Sequence, residues 1–298
     1  MILPNYTPSS ATEIFKHYVS KEREWRRPHL GASAIGIECE RALWYSFRWA
    51  TAPEYGRGAL FDHPGQTLRL FERGHREEEW LAADLVAAGV KLDVVDPETG
   101  RQFQWHTFGD HFGGSADGIG TLFPEGSGRA LWECKTHNAK SWRALVKHGI
   151  RKQKEQHYAQ VQVYMKLSGL KRCYYFAVNK DTDQIHVIVI KYDAAEAKSL
   201  FAKAKRVIFA DRIPPRIKDD PKFFKCLMCD HREQCHEPDV GCVETHCRTC
   251  TSSKPLTSGG WDCTFTGGEI ALETQLSGCE HYSIIPELAP NATEERFK

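Results

Sequence analysis

Asp117, Glu133 and Lys135 are the residues of this chain whose types and spacing could do chemistry. Glu133-Cys134-Lys135 closes an apolar, strand-like run that starts at Ala130. Side chains alternate along a strand, so Glu133 and Lys135 share one face and Cys134 enters the opposite layer. Asp117 lies 16 residues before Glu133, in Gly113-Gly114-Ser115-Ala116-Asp117-Gly118-Ile119-Gly120. Glycines there permit a tight turn or a close backbone approach. Two strands joined by a short hairpin would set Asp117 beside Glu133, with Lys135 next to both. Two carboxylates at short range repel unless a hard cation lies between them, and such oxygen donors suit Mg2+ or Mn2+. With an adjacent ammonium they compose a site for hydrolysing phosphodiesters. An E-x-K pair on a strand is more often an exposed ion pair of small energetic weight, so order and context decide.

The elements that must position these groups follow from periodicity. Residues from about 66 to 90 form a helix carrying Glu77, Glu78 and Glu79, with Leu81, Leu85 and Val86 as its apolar face. Strands are expected at Lys91–Val95, Phe103–Trp105, Gly113–Leu122 and Ala130–Lys135. The run Glu155–Met165 has no Gly or Pro and a helical rhythm, which puts Gln160 and Tyr164 at i and i+4 on one face. Taken alone it is an ordinary amphipathic helix with Tyr164 half in the core. Arg172–Val178 and Gln184–Ile190 are strong strands around a turn at Asn179–Asp183, and Ala194–Ala210 is a long helix ahead of Ile213-Pro214-Pro215. Residues 1 to about 60 are helical and loop-rich, with Trp44, Tyr45, Phe47 and Trp49 expected in a core rather than as base-stacking platforms.

The order of these motifs resembles the PD-(D/E)XK nuclease superfamily, with Asp117 as its aspartate and Glu133-Cys134-Lys135 as its (D/E)XK element. Ala116 stands where the name has proline. Gln160 and Tyr164 look like the Q-x-x-x-Y motif of the RecB-like branch, where they line the DNA end of the site. Glu78, four residues after Gly74, matches the glutamate of the first core helix. The resemblance implies an α/β fold, with a restriction-endonuclease-like central mixed sheet flanked by helices. It implies Glu78, Asp117 and Glu133 as ligands of Mg2+ or Mn2+, and Lys135 to orient or deprotonate the attacking water. Glu77 and Glu79 are expected to face solvent, and His75 is an additional candidate. The activity it implies is DNA exonuclease, in phage or mobile-element recombination or repair. An endonuclease, an RNA-acting nuclease and a non-catalytic nucleic-acid-binding adaptor are the alternatives. The intact Asp117, Glu133 and Lys135 argue against the adaptor.

Cysteine makes a second pattern. Of 11 cysteines, eight fall between Cys226 and Cys279, and Cys-x-x-Cys pairs in a chain without a signal-like start favour metal over disulfides. Cys247, Cys250, Cys263 and Cys279 read as a four-thiolate zinc ribbon in a segment short of apolar residues, with His281 as a substitute for Cys279. Cys226-x2-Cys229-x5-Cys235 resembles the clasp that, in RecB-like nucleases, joins a cysteine ahead of the core to hold a [4Fe-4S] cluster. Cys39, in a C-x-R-x-x-x-Y context, would be that cysteine. His236 or Cys242 could instead complete a local zinc site. Cys134 and Cys173 are expected as buried core thiols.

The resulting division is a helical segment at 1–60, a nuclease core at 61–225, a metal clasp at 226–242, a zinc-ribbon-like module at 243–290 and a frayed tail at 291–298. A net charge of +1 excludes a uniformly basic DNA-coating protein. Local basic patches remain, and the one just before the Gln160 helix, with Lys147, Arg151, Lys152 and Lys154, is the expected phosphate contact. No apolar run reaches bilayer length, so no membrane is expected. A cytoplasmic location (the host's, if phage-encoded), DNA as partner, a recombination or helicase partner and an oligomer complete the expectations.

Overall fold

A computed structural model describes residues 9–21, 26–50, 64–237 and 243–289. Cys242 and the tail at 291–298 lie outside these residues. In chain order come α1 (Ser10–Lys21), β1 (Leu30–Gly31), α2 (Glu40–Arg48), α3 (Pro64–Ala87), β2 (Lys91–Asp93), β3 (Gln104–Thr107), β4 (Phe112–Ser115), β5 (Gly118–Thr121) and β6 (Ala130–His137). There follow α4 (Ala139–His148), α5 (Ile150–Gln153), α6 (Glu155–Ser168), β7 (Arg172–Asn179), β8 (Ile185–Lys191) and α7 (Ala194–Ile208). The central sheet runs β2-β5-β6-β7-β8. Its β6–β7 pair is parallel and its other neighbours are antiparallel, which makes it a mixed sheet flanked by helices. A parallel pair needs a long crossover, supplied here by α4 to α6.

Strand alternation sorts the two layers. Leu131, Cys173, Tyr175 and Ala177 join the larger core with Val161, Val163 and Met165 of α6, while Ala130, Trp132, Cys134, Tyr174 and Phe176 face Leu81 and Val90 on the other side. Cys134 and Cys173 are buried, as expected. Leu81 and Leu85 pack inward, but Val86, one residue on and so about 100° further round the helix, is 54% exposed.

Gly113–Leu122, read as one strand, is two. β4 belongs to a second sheet, β1-β4-β3, and β5 to the central one. The chain changes sheets at Ala116–Asp117, where the Ala116 N–H donates to the Phe103 carbonyl at 2.9 Å. Phe103 lies ahead of β3, which begins one residue later than expected.

The last part of the chain comprises short helices α8 (Phe224–Leu227) and α9 (Arg232–His236), strands β9 (Ser253–Pro255), β10 (Trp261–Cys263) and β11 (Gly268–Glu269), and α10 (Leu272–Ser277). The boundaries at 60 and 243 do not divide hydrophobic cores. Cys247, Trp261, Ile270 and Leu288 share the larger core with Leu43, Trp44 and Phe47 of α2. At their junction two arginines are buried among aromatics. The Arg248 guanidinium lies 3.6 Å from the Trp49 ring centre and 4.7 Å from that of Trp261. Its Nη1 donates to the Phe47 carbonyl and its Nε to Gln275 Oε1, each at 3.0 Å. Arg48 Nη1 donates to the carbonyls of Arg248 at 3.1 Å and Ser253 at 3.3 Å. The segment that sequence makes short of apolar side chains is thus anchored by planar cations on indole faces.

Candidate active site

The β5–β6 register pairs Gly118 with Trp132, so one step further along the strands Asp117 faces Glu133. Asp117 Oδ2 accepts from the Cys134 N–H at 2.9 Å and lies 3.4 Å from Lys135 Nζ. Lys135 Nζ reaches Glu133 Oε1 at 2.5 Å and donates to the Cys134 carbonyl at 3.0 Å. From α6, Gln160 Nε2 donates to Glu133 Oε1 at 3.0 Å and to Tyr164 Oη at 3.1 Å. Gln160 and Tyr164 are buried, so the structure sets them behind Glu133 rather than in an open strand path. Tyr164 is seated closely: a Cβ added at Gly114 of β4 would stand 2.9 Å from its hydroxyl.

Glu78 completes the group from α3. It is half-buried, and burial with the charge of Asp117 pushes its pKa up to about 7. Full burial and Asp117 raise Glu133 as well, against the pull of Lys135. Burial draws the Lys135 ammonium down, but Glu133 and Asp117 outweigh it and hold its pKa well above the ordinary lysine value. Glu77 is half-buried and Glu79 and His75 are exposed, so Glu77 departs from the solvent-facing expectation. Burial, with Asp183 nearby, raises the Glu77 carboxyl.

The donor chemistry fits a hard divalent cation. Carboxyls from α3, the Asp117 turn and β6 lie within range of one another's charge, Glu78 and Glu133 are raised by burial and by Asp117, and the buried Glu133 Oε2 has no hydrogen-bond partner. As placed, no three His, Cys, Asp or Glu side chains among the described residues stand close enough together to grip a metal ion. At the carboxylates, the Lys135 ammonium bridges Asp117 and Glu133 and takes up their charge.

These protons predict a pH dependence. Above about pH 7.5, one unit beyond the ordinary histidine value, burial-lowered histidines such as His137 and His157 are neutral in both folded and unfolded chains. The unfolded chain has by then released its carboxyl protons, whereas Glu133, raised to about 8, still holds much of its own in the fold. Stability of metal-free protein should therefore fall as pH rises from about 7.5 to about 8.5. A divalent cation such as Mg2+, were the ionised carboxylates to hold it, would reverse that fall. Calorimetry across the interval with and without Mg2+ checks it, and a metal-free stability that rises there would contradict the assignment.

A hydrogen-bonded chain backs the site. Tyr175 Oη contacts His157 Nδ1 at 2.7 Å and His137 Nε2 at 3.1 Å, and His137 Nδ1 meets Ser141 Oγ at 3.3 Å. His137 lies two residues beyond Lys135 on β6, so strand alternation could have revealed it. Tyr175 pairs with Glu133 across β6–β7, a neighbour that no local pattern announces.

Each cysteine set lines one cavity, but as placed neither stands close enough together among the described residues to grip a metal ion. Cys39, Cys226, Cys229 and Cys235 line one cavity of about 750 Å3 together with His236. Cys247, Cys250, Cys263 and Cys279 line a small second cavity together with His281. All described cysteines are free thiols. The basic patch divides: Lys152 and Lys154 face the large cavity and Lys147 is exposed on α4. Arg151 turns instead to Asp193 at 3.4 Å and Glu196 at 3.5 Å, where the start of α7 supplies acids.

No protein-family model and no curated protein matches the sequence. Among solved structures the chain is similar to an alkaline exonuclease from Laribacter hongkongensis, with 18% identity, a TM-score of 0.39 and coverage of 64% of this chain and 90% of that one. It is also similar to SSO0001, with 13% identity, a TM-score of 0.42 and coverage of 80% and 100%. A phage related exonuclease from Haemophilus somnus 129PT is similar at 11% identity, a TM-score of 0.38 and coverage of 60% and 91%. No helix among the described residues is long and apolar enough to cross a membrane.

Proposed function

We propose that the chain is a Mg2+- or Mn2+-dependent nuclease that hydrolyses DNA from its ends. The observation that carries this reading is the Lys135 ammonium bridging Asp117 and Glu133, with Glu78 near enough to Asp117 for its charge to raise the Glu78 carboxyl. The three carboxylates would hold the cation, which when bound supplies an acidified water and neutralises charge on the phosphate. Lys135, its ammonium secured by Glu133 and Asp117, offers a proton donor and a fixed positive charge beside the scissile phosphate. Gln160 holds the Glu133 carboxylate in one orientation, and Tyr164 holds Gln160. Asp117 is fixed by the Cys134 N–H, so strand pairing itself aims the ligand.

The same proposal extends to the cysteines and the pathway. The first group, with Cys39, would take a [4Fe-4S] cluster, or zinc with His236. The second would take zinc, since thiolates of this number and spacing suit soft or borderline metals. A role in phage or mobile-element recombination or repair, in the cytoplasm and beside a recombination or helicase partner, would suit an end-directed nuclease.

The test is digestion of end-labelled and circular DNA, single- and double-stranded, by anaerobically purified protein with Mg2+, Mn2+ or EDTA. Metal-dependent loss of linear DNA with survival of circles is the expected result. Cut circles would make the enzyme an endonuclease. If metal-replete protein cut neither DNA nor RNA, catalysis would be abandoned for an adaptor role.

A further inference from the structure

The large cavity holds more than its cysteines. Three stretches distant in sequence wall it: Gly36 to Ser46, the α5–α6 connection at Lys152–His157, and Arg216 to His236. The lining carries seven Lys or Arg against three acids, Glu38, Glu155 and Asp230, an excess of four positive charges in a chain whose whole net charge is +1. One of the acids, Glu38, is paired with Lys225. Lys152, Lys154 and Lys218 have no carboxylate partner among the described residues, and Lys154 is half-buried.

The rim adds a different chemistry. Phe224 is 63% exposed and Met228 80% exposed, and both line the cavity. Large apolar side chains set beside unpaired cations match a polymer with anionic links and flat apolar faces. The cavity adjoins the hydrogen-bonded chain behind the site. His157 lines it and contacts Tyr175, which pairs with Glu133. Gln156 lines it too, about one helical turn before Gln160 on α6.

We propose that the rim of this cavity, outside the cysteines, seats a single-stranded polynucleotide segment, its phosphates on Lys152, Lys154 and Lys218 and a base stacked on Phe224 and Met228. That the bound strand is also a substrate rests on the nuclease reading, while the binding itself does not. Its test is fluorescence anisotropy of a labelled oligothymidine of about a dozen nucleotides, with the full chain and no added divalent cation, so that cleavage plays no part. Lys154→Gln combined with Lys218→Gln should weaken binding and reduce the slope of log affinity against log salt by about 1.4, at about 0.7 for each phosphate left without its lysine. Phe224→Ala should weaken binding about fivefold or more and leave the slope unchanged.

Lys218 and Phe224 are exposed and the half-buried Lys154 belongs to neither hydrophobic cluster, so these changes spare the core. An unchanged slope in the charge variant, unchanged affinity in Phe224→Ala, or equally tight binding of a blunt duplex with the same response would overturn the proposal. An oligouridine arm separates the sources: the tighter of the two polymers names the natural strand, and either ranking upholds a single-strand seat. Abolished cleavage in Lys135→Ala tests the catalytic reading separately, so the two fail in distinguishable ways.

Discussion

Lys135→Ala should cut the rate of DNA cleavage by about a hundredfold or more, the scale on which removal of one preorganised electrostatic group is felt. The change deletes the only ammonium among the described residues that bridges Glu133 and Asp117. It leaves Glu133 buried with a single donor, Gln160, on its Oε1. The cost to folding should depend on pH. Below the raised carboxyl range Glu133 is protonated and only the Asp117 contact is lost, so the destabilisation should be small near pH 5. Near pH 8 the variant should be less stable by roughly 2 kcal/mol, the buried-pair cost discounted for the partial exposure of Lys135. Urea denaturation at both pH values, with cleavage measured alongside, reads the two effects. Undiminished cleavage in a folded Lys135→Ala protein would remove the lysine from the mechanism.

Arg248→Met should have the largest effect on the fold. Methionine keeps much of the bulk but none of the donors, so the Phe47 carbonyl and Gln275 Oε1 lose their hydrogen bonds inside the core. The stack on Trp49 and Trp261 loses its charge at the same time. A buried acceptor left alone costs about 1–3 kcal/mol, and a desolvated cation–π contact adds about 2. A total of about 4 kcal/mol lowers the melting temperature by roughly 8–16 °C in a chain of this size. Burial already holds the Arg248 guanidinium down to about 9, with Arg48 beside it, so part of this cost is offset by removing one of two neighbouring cations. A melting curve unchanged by the substitution would show that the cluster contributes nothing.

The site was largely legible because its logic is local. Alternation on one strand placed Glu133 and Lys135 on one face, glycines flagged the approach to Asp117, and i, i+4 spacing joined Gln160 to Tyr164. Cysteine spacing grouped the two thiol sets. What escaped reading depends on pairings between distant segments. β1 is only two residues long, so neither it nor the second sheet carries a periodic signal, and Ala116–Asp117 could not be recognised as a crossing between sheets. The 243–290 stretch looked self-contained because few of its residues are apolar. Its burial depends instead on arginines stacking on indoles 200 residues away, which hydropathy counts as polar surface. The Tyr175 hydroxyl linking two histidines belongs to the same class: its partners lie on another strand and a helix.

The Arg48–Arg248 contact also bears on how the chain is made. Its partners are 200 residues apart, and translation at about 5–20 residues per second separates their emergence by roughly 10–40 s. Through that interval α2 exists with the carbonyl of Phe47 unmet and the indole of Trp49 uncovered. A nascent chain halted at residue 242 should therefore be cut readily by protease around residues 40–50, a region protected in the released chain. The early segment is a debt settled late, and ribosome-bound chaperones would find their binding site there.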